Sequence, residues 1–175
     1  ILATPGHTTG TAFVTYFPDG SRKFIFHFTH SAAGMLGPDD VKEEYVKQAK
    51  YLHVMGCSLS ASDSMRRAIL KGVDLARSCG AKISFDPNIR PELLDTEGIR
   101  KVFDSILSST DILLTGAQEA VTLTGTSSLE DAVGVLEGKG ITVIVVKNGS
   151  KGAAIYSSEG YVEIPPFRVE EVDPT

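Results

Sequence analysis

Four short β-forming runs, each preceded by a stretch with the apolar spacing of a helix or a helix start, are what most restricts the folds open to this chain. The runs are residues 51–55, 82–85, 112–114 and 141–146. Ahead of the first three, apolar residues recur three and four apart: Val41, Tyr45 and Ala49, then Met65, Ile69, Val73 and Ala76, then Ile99, Val102, Phe103 and Ile106. Pro38-Asp39-Asp40 reads as the start of the first of these helices. A further helix opens at Ser128-Leu-Glu-Asp131, a capping pattern, and ends near Gly138 and Gly140. Strands and helices in alternation predict an α/β fold with a mainly parallel sheet and right-handed crossovers, the core of a three-layer αβα architecture. The β-branched run 141–146 reads as an inner strand covered on both faces.

Strand-like alternation also occurs at the two ends. Residues 11–17 and 24–28 flank a Pro18-Asp19-Gly20 turn and predict a β-hairpin whose Phe24, Phe26 and Phe28 share one face that needs cover. Residues 153–156 and 161–164 predict a second, terminal hairpin. The expected organisation is a hairpin lid over residues 1–36 and an α/β core over 37–175.

A parallel sheet gathers its strand ends on one edge, and ligands of open α/β sheets sit in the crevice beyond that edge. The residues due there are Gly56-Cys57-Ser58, then Asp86, Asn88 and Arg90, then Thr115 with Glu119, then Lys147-Asn148-Gly149-Ser150. An apolar strand that runs into an acid, an amide and a guanidinium within five positions, as 84–90 does, points to an anionic ligand. Cations for oxyanions, a carboxylate for a metal and glycines for close backbone approach are the parts of a phosphate-handling site.

Composition removes other classes. At 42% apolar, 175 residues suffice for one α/β core. With 17 basic against 22 acidic residues, a net charge of -5 and no Lys/Arg run, nucleic acid is not an expected partner. The longest apolar run is far too short for a bilayer, so no membrane partner is expected either. Cys57 and Cys79 show no disulfide framework or metal spacing, which fits a reducing compartment such as the cytoplasm. No targeting peptide is visible, and the start reads more like a cut than a beginning.

Common motifs fail on inspection. Lys147-Asn-Gly-Ser-Lys-Gly152 lacks the spacing of a P-loop, and no dinucleotide fingerprint occurs. Gly56-Cys-Ser-Leu-Ser60 lacks the last glycine of a nucleophile elbow, and His27 with His30 lacks further zinc ligands.

Asp86-Pro87-Asn88-Ile89-Arg90-Pro91, followed by Leu93-Leu94, resembles the Asp-Pro-Asn-x-Arg segment of the ribokinase-like sugar kinases, the PfkB carbohydrate kinase family. Leu114 to Gly125, with Glu119-Ala120, is similar to that family's Asn-x-x-Glu-Ala segment, and Val145 to Gly152 resembles its nucleotide-side glycine turn. Thr9-Gly10, the 18–20 turn and Phe24 to Ala33 resemble the lid region, most of all that of 2-keto-3-deoxygluconate kinases.

The resemblance implies a ribokinase-like core and transfer of the ATP γ-phosphate to a sugar or sugar-acid hydroxyl. It implies nucleotide contacts at Lys147, Gly149, Ser150 and Gly152, Mg²⁺ held through water near Glu119, and a substrate side formed by Arg90, Asn88 and His27. It also implies a homodimer paired through the lid. 2-Keto-3-deoxygluconate is the first expected acceptor, with fructose or a non-catalytic sugar- or nucleotide-binding module as alternatives. Gly116 stands where the family usually has Asn, and Phe26-His27-Phe28 where keto-deoxy-sugar-acid kinases tend to have Tyr-Tyr-Arg, which removes a guanidinium that would clamp a carboxylate. The family's catalytic base lies in an Asp-x-Thr-Gly-Ala-Gly-Asp segment that the 175 residues do not contain, nor do they contain its Gly-Gly sugar segment. The base is accordingly expected after Thr175. The chain is therefore expected to be a fragment lacking both ends, with no catalytic base and no turnover of its own.

Overall fold

The computed structural model describes residues 3–19, 21–89 and 97–169. Strands β1 (Thr11–Tyr16) and β2 (Arg22–His27) pair antiparallel as the expected hairpin, with Thr11 opposite His27 and Tyr16 opposite Arg22. Phe24, Phe26 and Phe28 stack along one face with centroids 5.6 and 5.5 Å apart. His27 lies on the other face, edge-on to Phe13 at 5.8 Å.

The second sheet has six strands in sequence order: β3 (Tyr51–Met55), β4 (Lys82–Asp86), β5 (Ile112–Gly116), β6 (Val143–Lys147), β7 (Ala153–Ser157) and β8 (Gly160–Ile164). β3 to β6 run parallel, and β7 and β8 add an antiparallel hairpin. The helices are α1 (Glu43–Val46), α2 (Asp63–Ser78), α3 (Glu97–Leu107), α4 (Ala117–Thr124) and α5 (Leu129–Gly138).

Local chemistry explains the boundaries. Ser62 caps α2 by accepting from Met65 N at 3.0 Å, and Ser128 caps α5 by accepting from Asp131 N at 3.1 Å. Ala68, Val73 and Ala76 of α2, with Ala132, Val133 and Leu136 of α5, are buried in the apolar core. α4 ends at Gly125, whose φ of 69° is the left-handed stop that glycine takes without penalty.

Two expectations are corrected. No continuous helix carries Val41, Tyr45 and Ala49: a 3₁₀ turn at Pro38–Asp40 is followed by extended backbone at Val41 and Lys42, then the single turn of α1. Asp40 accepts from Gly37 N at 2.8 Å, a local closure that competes with helix growth, and Tyr45 is left 79% exposed.

Nor do the described residues cover β6 equally on both faces. Ile144 and Val146 are buried while Val143 and Val145 are half-buried, and the same alternation runs through β4 and β5, where Ile83, Phe85, Leu113 and Thr115 are buried and Ser84, Ile112 and Leu114 are not. Parallel strands laid down in sequence order by right-handed crossovers put every crossover helix on the same face. The open face bears directly on the functional site, because Asp86, Gly116 and Lys147 continue its side of their strands. Among the described residues, no helix is long and apolar enough to cross a membrane.

Candidate active site

β4 leaves the sheet as Asp86-Pro87-Asn88-Ile89, and the carboxyl ends of three other strands hold that loop in place. From the end of β3, Gly56 lies so near it that a Cβ there would sit 1.9 Å from Pro87 O, and Pro87 itself is fully buried. From α4, which follows β5, the Glu119 carboxylate accepts from Ile89 N at 2.6 Å through Oε1. Its Oε2 accepts from Thr115 Oγ1 at 3.0 Å and from Gly116 N at 3.1 Å. From the end of β6, Lys147 Nζ pairs with Asp86 Oδ2 at 2.7 Å. Asn88 sits between these anchors with φ 42°, a left-handed conformation that Asn tolerates better than most residues. All of these anchors come from the chain's own residues.

This edge therefore unites Asn88, Glu119 and Lys147, three residues expected at one rim. The turn expected to carry Gly149, Ser150 and Gly152 follows β6 directly as a 3₁₀ turn, closed by Asn148 N donating to Gly152 O at 2.9 Å. Gly149 has φ 55° and open space where a Cβ would stand. Gly152 differs: a Cβ there would lie 2.1 Å from Ile164 O, so glycine is required for the close passage of β8. Arg90, with Pro91 and Leu93-Leu94, lies outside the described residues. So does Thr175, the residue after which the catalytic base is expected, and the described residues accordingly offer no test of that expectation. His27 is exposed on the hairpin, and among the described residues no hydrogen bond or ion pair links it to the ends of β4, β5 or β6.

Sequence reasoning placed Asp86 on this rim without giving it a role, and took Gly56 for the start of a failed motif. The alternation of side chains along β4 and β6 was the available signal for Asp86, since it puts Asp86 and Lys147 on the same face of their strand ends. Nothing in the sequence signals how near Gly56 comes to Pro87.

The chemistry of the site is set by its free and occupied groups. A carboxylate offers about four lone-pair positions, and Glu119 uses three on its own chain, so a divalent cation fits here through water and ligand oxygens rather than by direct capture. Among the described residues there is no group of three or more His, Cys, Asp or Glu that could cage a metal. The Lys147 side chain is 46% exposed and uses one donor on Asp86, leaving cationic N–H groups for an anion. Glu119→Gln should destabilise the chain by about 2 kcal/mol, because one carboxylate acceptor becomes a donor facing an amide. Urea unfolding reads this directly, and a loss below about 0.5 kcal/mol would mean that the loop is held without Glu119.

Compared with known families, residues 1–175 match the model of the pfkB family carbohydrate kinases. The chain belongs to this family. Among its pfkB relatives, fructokinase-1 of Zea mays is 34% identical over all of this chain and 54% of its own length, and fructokinase-1 of Oryza sativa subsp. japonica is 33% identical over the same shares. The chain thus spans about half the length of the curated relatives it matches. An E. coli protein provisionally called ribokinase II, solved in complex with ATP and Mg²⁺, is 38% identical, with 98% of this chain and 54% of that one covered at a TM-score of 0.90. A PfkB protein from Polaromonas sp. JS666 is 30% identical, covering 96% and 57% at a TM-score of 0.82. The α/β class with its mostly parallel sheet stands as expected, while the particular likeness to 2-keto-3-deoxygluconate kinases does not emerge from these relatives.

Proposed function

We propose that the polypeptide carrying this chain transfers the γ-phosphoryl group of ATP to a hydroxyl of a sugar, with fructose the favoured acceptor. The observation that carries this reading is the loop Asp86–Ile89, anchored from three strand ends beside an exposed Lys147 and a glycine turn. Phosphoryl transfer asks for positioning and charge stabilisation more than covalent help, and a loop held from three strand ends supplies positioning.

In this reading Lys147, Gly149, Ser150 and Gly152 hold the nucleotide phosphates, and Asn88 and Arg90 face the acceptor and the transferring group. Mg²⁺, when bound, neutralises charge on the phosphates, and Glu119 orients its water shell. The acceptor proton needs a base, assigned to the aspartate of an Asp-x-Thr-Gly-Ala-Gly-Asp segment following Thr175. Fructose is preferred to 2-keto-3-deoxygluconate because the curated relatives are fructokinases and because the hairpin carries His27 where a carboxylate clamp would want Arg.

The test is ADP release with ATP and Mg²⁺ across a sugar panel, using the full polypeptide that carries these 175 residues. Turnover with fructose is expected, and none from the 175-residue chain alone. Failure with every sugar would remove the kinase reading. A preference for 2-keto-3-deoxygluconate would overturn the acceptor only.

A further inference from the structure

Asp86, Gly116 and Lys147 are the last residues of three adjacent parallel strands, β4, β5 and β6. All three fall on the open face, since Asp86 follows Ser84, Gly116 follows Leu114 and Lys147 follows Val145 at intervals of two. β4 and β6 are not neighbours in the sheet. Their backbones are about 10 Å apart, twice the inter-strand spacing, yet Lys147 Nζ reaches Asp86 Oδ2 at 2.7 Å. The lysine stem therefore crosses the end of β5.

The β5 residue level with Lys147 is its register partner Gly116, while the pairing of Phe85 with Leu113 puts Asp86 level with Leu114, so the crossing falls between these two residues. The Gly116 backbone, φ -89° and ψ 161°, is ordinary extended backbone, so glycine is not there to meet a conformational demand. A Cβ would meet nothing within 4 Å, so glycine is not there to admit a neighbour's backbone either. Its lack of a side chain leaves the end of β5 bare on the open face. At the far end, Asp86 Oδ1 is buried without a hydrogen-bond partner, and the acid's one ionic contact among the described residues is the lysine.

We propose that Asp86 is a positioning residue: it holds the Lys147 ammonium over the bare end of β5, where the remaining N–H groups of the lysine meet the phosphates of a nucleoside triphosphate. A free lysine side chain samples many rotamers, and fixing it beforehand lowers the ordering cost that the ligand would otherwise meet. Gly116 belongs to the same device, because a long side chain there would block the crossing. The inference rests on the nucleotide-binding role given to Lys147 above.

ATP titrations of the full polypeptide that carries this chain test it, with thermal unfolding measured on every variant. Lys147→Met should weaken binding about tenfold and Asp86→Asn about fivefold, while Asp86→Asn/Lys147→Met should be no weaker than Lys147→Met alone, since a positioning residue has no effect once its target is gone. Gly116→Leu should match Asp86→Asn in its loss of ATP affinity. Asp86→Asn that binds ATP equally or more tightly, or losses that add in the double variant, would overturn the inference, the first by showing that Asp86 competes with phosphate for the lysine. If Asp86→Asn fails to fold, Gly116→Leu decides alone: undiminished affinity overturns the proposal. A parent chain that binds no ATP would remove the nucleotide-site reading together with this one, whereas additive losses in a chain that binds ATP remove this one only.

Discussion

Gly56→Ala is expected to cost about 4 kcal/mol of stability, in the range reserved for steric conflicts with no cheap relief. The added methyl would stand 1.9 Å from Pro87 O and under 3 Å from Pro87 C and Cα. These are backbone atoms of a buried residue, so no side chain can swing aside. Either β3 or the Asp86–Ile89 loop must move, and the loop is already tied to Glu119 and Lys147. The urea midpoint measures the loss, with the m-value checking that the native state is otherwise unchanged. A loss below about 1 kcal/mol would mean that the β3 end and the loop are not packed as described.

Asp111→Ala is expected to cost about 3 kcal/mol, at the opposite edge of the same sheet. Asp111 is 7% exposed and precedes β5. Its Oδ2 accepts from Ile83 N at 2.8 Å at the start of β4, and its Oδ1 from Lys82 Nζ at 2.8 Å, with Arg77 at 3.4 Å. Lys82 and Arg77 are half exposed, so solvent screens them and the larger part of the loss is the buried Ile83 amide left without an acceptor. Burial by itself would raise the Asp111 carboxyl. The Lys82 and Ile83 hydrogen bonds and the Lys82 and Arg77 charges outweigh burial and hold it below the usual carboxylate range. A carboxyl lowered by folding stabilises the native state fully above its unfolded value, near pH 4, and that contribution fades as pH falls through the lower folded value. Asp111→Asn should therefore be less stable at neutral pH and lose part of the acid limb of the stability profile. A parallel offset from about pH 7 to about pH 2 would show that the ionised form has no special role.

Much of the scaffold was legible because it rests on local chemistry. Ser62 and Ser128 bond to amides three residues on, so their caps are written in the neighbouring sequence. The β-forming runs at 51–55, 82–85, 112–114 and 141–146 became the strands 51–55, 82–86, 112–116 and 143–147, with their existence legible and their ends shifted by up to two residues. The helix expected from Val41, Tyr45 and Ala49 failed because periodicity says nothing of a side chain, here that of Asp40, that satisfies the backbone in another way. The described residues do not give β6 the two-sided cover expected of it, because an apolar composition does not say on which face the helices will lie.

The site divides along the same line. Sequence by itself determined which residue types reach the carboxyl edge of the sheet, since a parallel strand delivers its last residues there whatever the rest of the molecule does. Tertiary structure alone decided how they are joined: Lys147 to Asp86 across 61 positions, Glu119 to Ile89 across 30, and Gly56 against Pro87. Such contacts depend on strand order, register and the face each side chain takes. Those are fixed only when the entire sheet closes, because a shift of one residue in pairing turns every side chain of a strand to the other side.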